Sequence, residues 1–253
     1  MKVTILGCGA SGGVPRLGNQ WGQCDPENPR NRRNRSSIFV ENGSTGVLID
    51  SGPDLRQQSL AAEISHFDGV IYTHDHADHV HGIDELRVVA RSTGQPVDIY
   101  ASQDTLDSLS LRFPYAFGQE SKWYPAFVRP HAINGTFVVG EVPVQPFEQV
   151  HGQAPSLGFR FGQIAYSTDL VDLPEASFAA LEDVDTWIVA VLARFEHPLH
   201  ANLDTVLEWI ERLSPRRAIL THMTASLDYA ELCATLPSGV EPAYDGMVIE
   251  VKS

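Results

Sequence analysis

The sequence predicts an α/β fold. Apolar runs of strand character at residues 69–72 and 97–101 each lead into segments of helical spacing, at 80–90 and 103–111, and this strand-then-helix alternation marks the class. Further strand-like runs recur at 3–6, 142–150, 187–191 and 218–220, with hairpin patterns at 37–50 and 159–166. A chain of 253 residues with 43% hydrophobic content can bury a large core, and no linker-like run or repeat divides it, so residues 1–253 are read as a single domain.

Taken in order, residues 3–6 end in Gly7-Cys8-Gly9-Ala10-Ser11-Gly12-Gly13, where a dinucleotide fingerprint (Gly7-x-Gly9-x-x-Gly12) overlaps a nucleophile elbow (Gly9-x-Ser11-x-Gly13). Both motifs need a helix immediately afterwards. Val14-Pro15-Arg16-Leu17-Gly18-Asn19 and the Gly/Pro/Asn-rich run to Asn34 make a loop instead, so both are rejected. Arg30, Arg32, Arg33 and Arg35 concentrate positive charge in an acidic chain. Most are expected to pair with surface acids, while one or two can hold a substrate phosphate, whose oxygens match the guanidinium fork. Residues 37–41 and 46–50 form a hairpin around Asn42-Gly43, followed by a helix over 54–64.

The loop Thr73-His74-Asp75-His76-Ala77-Asp78-His79 then crowds three imidazoles and two carboxylates between a strand and a helix. Imidazole nitrogen and carboxylate oxygen are ligands of Zn²⁺ and of related dications such as Mn²⁺. His74 and His76, two apart, can point the same way in an extended loop, and Asp78 and His79 on the turn beyond can face a second ion. Later strands deliver His151, Asp169 and His222 just past their ends, and His200 precedes the helical spacing of Leu203, Val206, Leu207 and Ile210. Residues 112–131 hold Phe113, Tyr115, Phe117, Trp123, Tyr124 and Phe127, either a satellite core beneath a long loop or a surface overhanging the site.

The order His-x-His-x-Asp-His at 74–79 resembles the signature of the metallo-β-lactamase-fold hydrolases. The resemblance implies a four-layer αββα sandwich with a two-metal site: His74, His76 and His151 for one ion, Asp78, His79 and His222 for the other, Asp169 bridging both. It also implies that Asp50 supports the metal loop through hydrogen bonds. Gly9-x-Ser11-x-Gly13-Val14-Pro15, His200-x-x-Leu203-x-Thr205-Val206-Leu207, Leu236-Pro237-Ser238-Gly239-Val240 and Tyr244-Asp245-Gly246-Met247-Val248-Ile249 resemble the phosphodiesterase branch of that fold. That branch includes tRNA 3′-processing endonucleases and the phosphoribosyl cyclic phosphate phosphodiesterase, and the likeness implies that His200 faces the phosphate opposite the ions. One departure stands out. The cyclic phosphodiesterase holds a structural zinc with an amino-terminal cysteine cluster and a later histidine, where this chain offers only Cys24 and Ala225; no structural zinc is expected.

The formal charge of −14 argues against general affinity for nucleic acid or an anionic membrane, since such binding rests on Lys and Arg neutralising phosphates. Cys8, Cys24 and Cys233 form no CxxC pair and suggest no disulfide framework. No apolar run of about 18 residues appears, and a soluble, cytoplasmic protein is expected, with a homodimer left open. The function expected is a metal-dependent phosphodiesterase. Two Zn²⁺ or Mn²⁺ ions per chain would hold a bridging hydroxide that attacks a small cyclic or nucleotide-like phosphodiester. Asp78 and His200 are the candidate catalytic residues, and Ser11, Arg35 and His200 the candidate substrate-binding ones. Two alternatives are carried: a tRNA 3′-processing endonuclease, weakened by the acidity and by the lack of a basic, glycine-rich arm, and a non-hydrolytic nucleotide- or metal-binding module.

Overall fold

The computed structural model describes residues 1–118, 125–152 and 154–251. Two seven-stranded sheets carry the architecture. The first runs β14 (Val248–Glu250), β1 (Lys2–Gly7), β2 (Ser37–Asn42), β3 (Thr45–Ile49), β4 (Gly69–Ile71), β5 (Val97–Ala101), β6 (Val128–Ala132). The second runs β13 (Val240–Pro242), β12 (Arg217–Thr221), β11 (Thr186–Ala190), β10 (Ile164–Ser167), β9 (Ala154–Phe161), β8 (Val142–His151), β7 (Phe137–Val139).

Alternation along the strands assigns each side chain to a layer. Val3, Ile5, Ile38, Val40, Val47 and Ile49 turn into the cluster shared with the second sheet's Val144, Phe159, Ala165 and Ile188. Leu6, Phe39, Leu48 and Val70 turn outward, where α1 (Leu55–Ala61), α3 (Leu86–Thr93) and α4 (Gln103–Arg112) bury Leu55, Leu86, Val89, Leu106 and Leu109 on them. On the other sheet α5 (Glu175–Leu181), α6 (Leu203–Leu213) and α7 (Tyr229–Thr235) contribute Phe178, Leu181, Val206, Trp209 and Leu232. Each such burial contributes about 1.5–3 kcal/mol. The layers are helix, sheet, sheet, helix, as the resemblance implied.

Five elements differ from the sequence reading. The helix expected over 80–90 is broken into α2 (Ala77–Val80), a 3-10 turn at Ile83–Glu85, and α3. The break lies at Gly82, whose N–H donates to Ser51 O at 2.7 Å and whose Cα faces the Gly52 carbonyl too closely for a Cβ. β6 and β7 were hidden in and beside the aromatic stretch, because β6 is an edge strand with exposed Arg129 and Pro130 and so lacks an apolar signature. Within that stretch Phe127 is buried and Phe113, Tyr115 and Phe117 pack partly against the outer cluster, the satellite-core outcome; Trp123 and Tyr124 lie outside the described residues. The short helices α5 and α7 also went unread.

The long loop after Gly7 forms no helix before a 3-10 turn at Pro29–Asn31, in keeping with rejection of both glycine motifs. Its closure against the segment beyond His222 has an unexpected agent. Cys24 and Ala225 do meet, with Val14 and Trp21, but among the described residues no set of zinc donors surrounds them. Arg33, 2% exposed, fills the space instead, donating to Thr224 O at 3.1 Å and Leu227 O at 2.7 Å, with Cys24 Sγ 3.9 Å away. Arg33→Met would strand two buried carbonyls. It is expected to lower unfolding stability by about 2 kcal/mol, measurable by urea denaturation, whereas an unchanged midpoint would remove Arg33 from this role.

Candidate metal centre

Both sheets release their polar residues at one edge. Asp50 follows β3, the 74–79 loop follows β4, and His151, Asp169 and His222 come at or just past the ends of β8, β10 and β12. Asp50, Asp169 and His222 all adopt left-handed backbone, with φ of 64°, 51° and 55°. Such conformations cost energy for residues with a Cβ and persist where the surroundings over-determine them, often at functional sites.

Among the described residues, ligand atoms gather within 4.8 Å of one another in His74, His76, His151 and Asp169, in Asp78, His79 and His222, and, overlapping both, in Asp169, His200 and His222. Asp169 joins them. Its Oδ2 lies 2.9 Å from His79 Nε2 and 3.1 Å from His222 Nε2, while Oδ1 lies 3.8 Å from His151 Nε2 and 3.6 Å from His200 Nδ1. One oxygen therefore faces each of the first two groups. All seven residues expected as ligands are brought together.

Supporting contacts orient the rings. Asp50, fully buried, accepts from Thr73 N at 2.8 Å and Thr73 Oγ1 at 2.9 Å, and lies 2.7 Å from His79 Nδ1, leaving His79 Nε2 for the cluster. His151 Nδ1 lies 2.9 Å from Leu199 O, and His74 Nδ1 lies 2.9 Å from Thr73 Oγ1. Such outer partners fix tautomer and direction in metal sites. Asp75, the other acid of the loop, is turned out of the cluster and accepts from Ser108 at 2.5 Å.

The residues fit divalent cations. His74 Nε2, His79 Nε2 and both nitrogens of His222 are buried without a hydrogen-bond partner, a costly state that a coordinated ion relieves. His76 Nδ1 and His151 Nε2 face one another at 3.3 Å. Burial, with neighbouring imidazoles, pushes His74 well down, and burial pushes His151 down as well, keeping both rings in the neutral form that ligates. Although burial opposes it, the imidazoles of His222 and His79 hold Asp169 well below the usual carboxylate range. Asp78 is likewise held low, burial again opposing, by His222 and His79.

His200 sits on the cluster's rim. Its ring stacks on His222 at 5.2 Å, and its Nδ1 is buried without a hydrogen-bond partner. His200 also lines a cleft of about 310 Å³ with Ser11, Gly12, Arg16, Phe195 and His197. Ser11, expected to bind substrate, lines this cleft beside His200. Arg35 is committed elsewhere: it donates to Asp54 Oδ1 at 2.8 Å and to Ser11 O at 3.0 Å, tying down the glycine loop. Arg30 lies over Tyr229 and Tyr244, and Arg32 over Trp21. Arg16 and Phe195 went unnoticed in the sequence, where nothing marks either as facing His200.

Fold and site together define a class: a helix–sheet–sheet–helix sandwich with a His/Asp metal-binding cluster at one edge. Residues 45–223 match the β-lactamase superfamily domain, and the chain belongs to that superfamily of metallo-β-lactamase-fold hydrolases. It is similar, at 33% identity and a TM-score of 0.90 over 98% of this chain and 96% of the other, to a crystal structure described as a new diphosphatase from the PhnP family. It is 31% identical over 98% of its length to the octanoyltransferase of Porphyromonas gingivalis, but covers 51% of that protein. The chain spans about half the length of the curated relatives it matches. Zn²⁺-bound PqqB from Methylobacterium extorquens, at 22% identity and a TM-score of 0.78 over 99% of this chain and 100% of the other, shares the fold. No described helix is long and apolar enough to cross a membrane.

Proposed function

We propose that this protein is a dinuclear metal-dependent phosphodiesterase acting on a small cyclic or nucleotide-like phosphodiester. The observation that supports this most is the position of His200, on the rim of the ligand cluster and in the wall of a 310 Å³ cleft, a volume suited to a small ligand. His74, His76 and His151 would hold one Zn²⁺ or Mn²⁺ ion, Asp78, His79 and His222 the other, with Asp169 between. Bound there, the ions supply Lewis acidity, which activates water near neutral pH and offsets phosphoryl charge.

The remaining chemistry belongs to side chains. Burial pushes the His200 imidazole down to about 4, so it meets substrate as a neutral ring with one N–H to donate. A donor fixed before reaction stabilises charge as it develops on phosphoryl or leaving oxygen. Asp50 and the Leu199 carbonyl keep His79 and His151 from rotating, and the Arg35–Asp54 pair holds Ser11 at the cleft. Asp78 acts through its place in the ligand set.

A second reading rests on the similarity to the PhnP-family diphosphatase, since the same arrangement can act on a phosphoanhydride. Metal-loaded protein is expected to hydrolyse bis(p-nitrophenyl) phosphate, to lose that activity to a chelator and in His76→Ala, and to regain it, in the unmutated chain only, on adding Zn²⁺ or Mn²⁺. Turnover of a nucleoside diphosphate but of no phosphodiester would favour the second reading, and cleavage of precursor tRNA would favour the endonuclease. Protein that carries its metals yet hydrolyses none of these is a binding module.

A further inference from the structure

The cleft beside His200 carries one arginine among its described lining residues, Arg16. Arg30, Arg32, Arg33 and Arg35 each have a partner within the fold. The exposed Arg16 guanidinium has no hydrogen bond or carboxylate within the described residues. Its backbone is nonetheless held: Arg16 N donates to Gln20 O at 3.0 Å, Gln20 N donates to Arg16 O at 3.2 Å, and the side chain lies over Gly12. In a chain of net charge −14, an unneutralised cation on a fixed turn beside the metal-binding cluster calls for an explanation. The N–H groups of Ser11 and Gly12, in the same wall, also make no hydrogen bond within the described residues. Phe195 forms another part of the wall, 59% exposed, its ring stacked on nothing described.

These features together describe a receptor for an anion joined to a flat apolar group. We propose that this cleft is a nucleotide subsite in which Arg16 holds a second phosphate, distinct from the one at the metals, and Phe195 offers a stacking face to the base. The subsite deepens the phosphodiesterase reading and rests on it for placing the other phosphate at the His/Asp cluster. Arg16 suits the task because its planar fork pairs with two phosphate oxygens at once. Gly12 suits it because a side chain there would crowd Arg16: a Cβ would stand 3.2 Å from Arg16 Cγ.

Isothermal titration of the metal-loaded protein with adenosine 3′,5′-bisphosphate and with adenosine 3′-monophosphate tests this without requiring turnover. The wild-type chain is expected to prefer the bisphosphate by about 10- to 100-fold. In Arg16→Gln that ratio should fall towards one, with partial recovery in Arg16→Lys. Phe195→Ala should weaken both ligands by about 10-fold and leave their ratio in place. No preference in the wild type, or a ratio unaltered by Arg16→Gln, overturns the subsite. A retained ratio in protein that hydrolyses no phosphodiester counts against the hydrolytic reading alone.

Discussion

Asp169→Asn is expected to empty the centre of at least one ion and to lower turnover on the order of 10³-fold or more, the activation of water being the ions' main contribution. Both carboxylate oxygens are engaged, Oδ2 within 3.1 Å of His79 and His222 and Oδ1 3.6–3.8 Å from His200 and His151. Asparagine replaces one oxygen with an NH₂ group, which presents hydrogens to a cation, and removes the negative charge set among four imidazoles. The backbone should survive, because asparagine tolerates the left-handed conformation, φ 51° here, better than most residues. Metal content measured on folded variant and wild type, alongside hydrolysis of bis(p-nitrophenyl) phosphate, checks both halves. An unaltered stoichiometry with unaltered rate would deny Asp169 its bridging place.

His200→Ala separates two roles that the geometry allows. As donor to the phosphate, His200 is dispensable for the ions, and the variant should keep its metals while turnover falls about 10²–10⁴-fold. His200, however, also offers a ligand atom to a third group, with Asp169 and His222, within 4.8 Å. Loss of an ion from His200→Ala would make it a ligand and take it away from the leaving oxygen. Unchanged rates would leave it a bystander on the rim.

Much of this site was legible because its densest part is local. His74, His76, Asp78 and His79 sit on one loop, and their spacing alone suggests two faces of ligation. His151, Asp169 and His222 were legible only as polar residues after predicted strands; the family resemblance supplied their meaning. What stayed hidden depends on who meets whom in space. Gly82 breaks a helix because the 51–52 backbone crosses it, a fact no periodicity contains. Arg33 looked like one more surface charge until the 224–227 carbonyls closed over it. Arg35 was singled out for phosphate, and its guanidinium meets Asp54 through Nη1 and the Ser11 carbonyl through Nε, while Arg16, unremarkable in the sequence, is the arginine in the cleft beside His200.

Anomalous scattering from crystals grown with Zn²⁺ or Mn²⁺ addresses the two-ion centre most directly. Two peaks per chain are predicted, about 3.5–4 Å apart, one among His74, His76 and His151, the other among Asp78, His79 and His222, with Asp169 reaching both. A lone peak, or a pair held by other residues, would contradict the account.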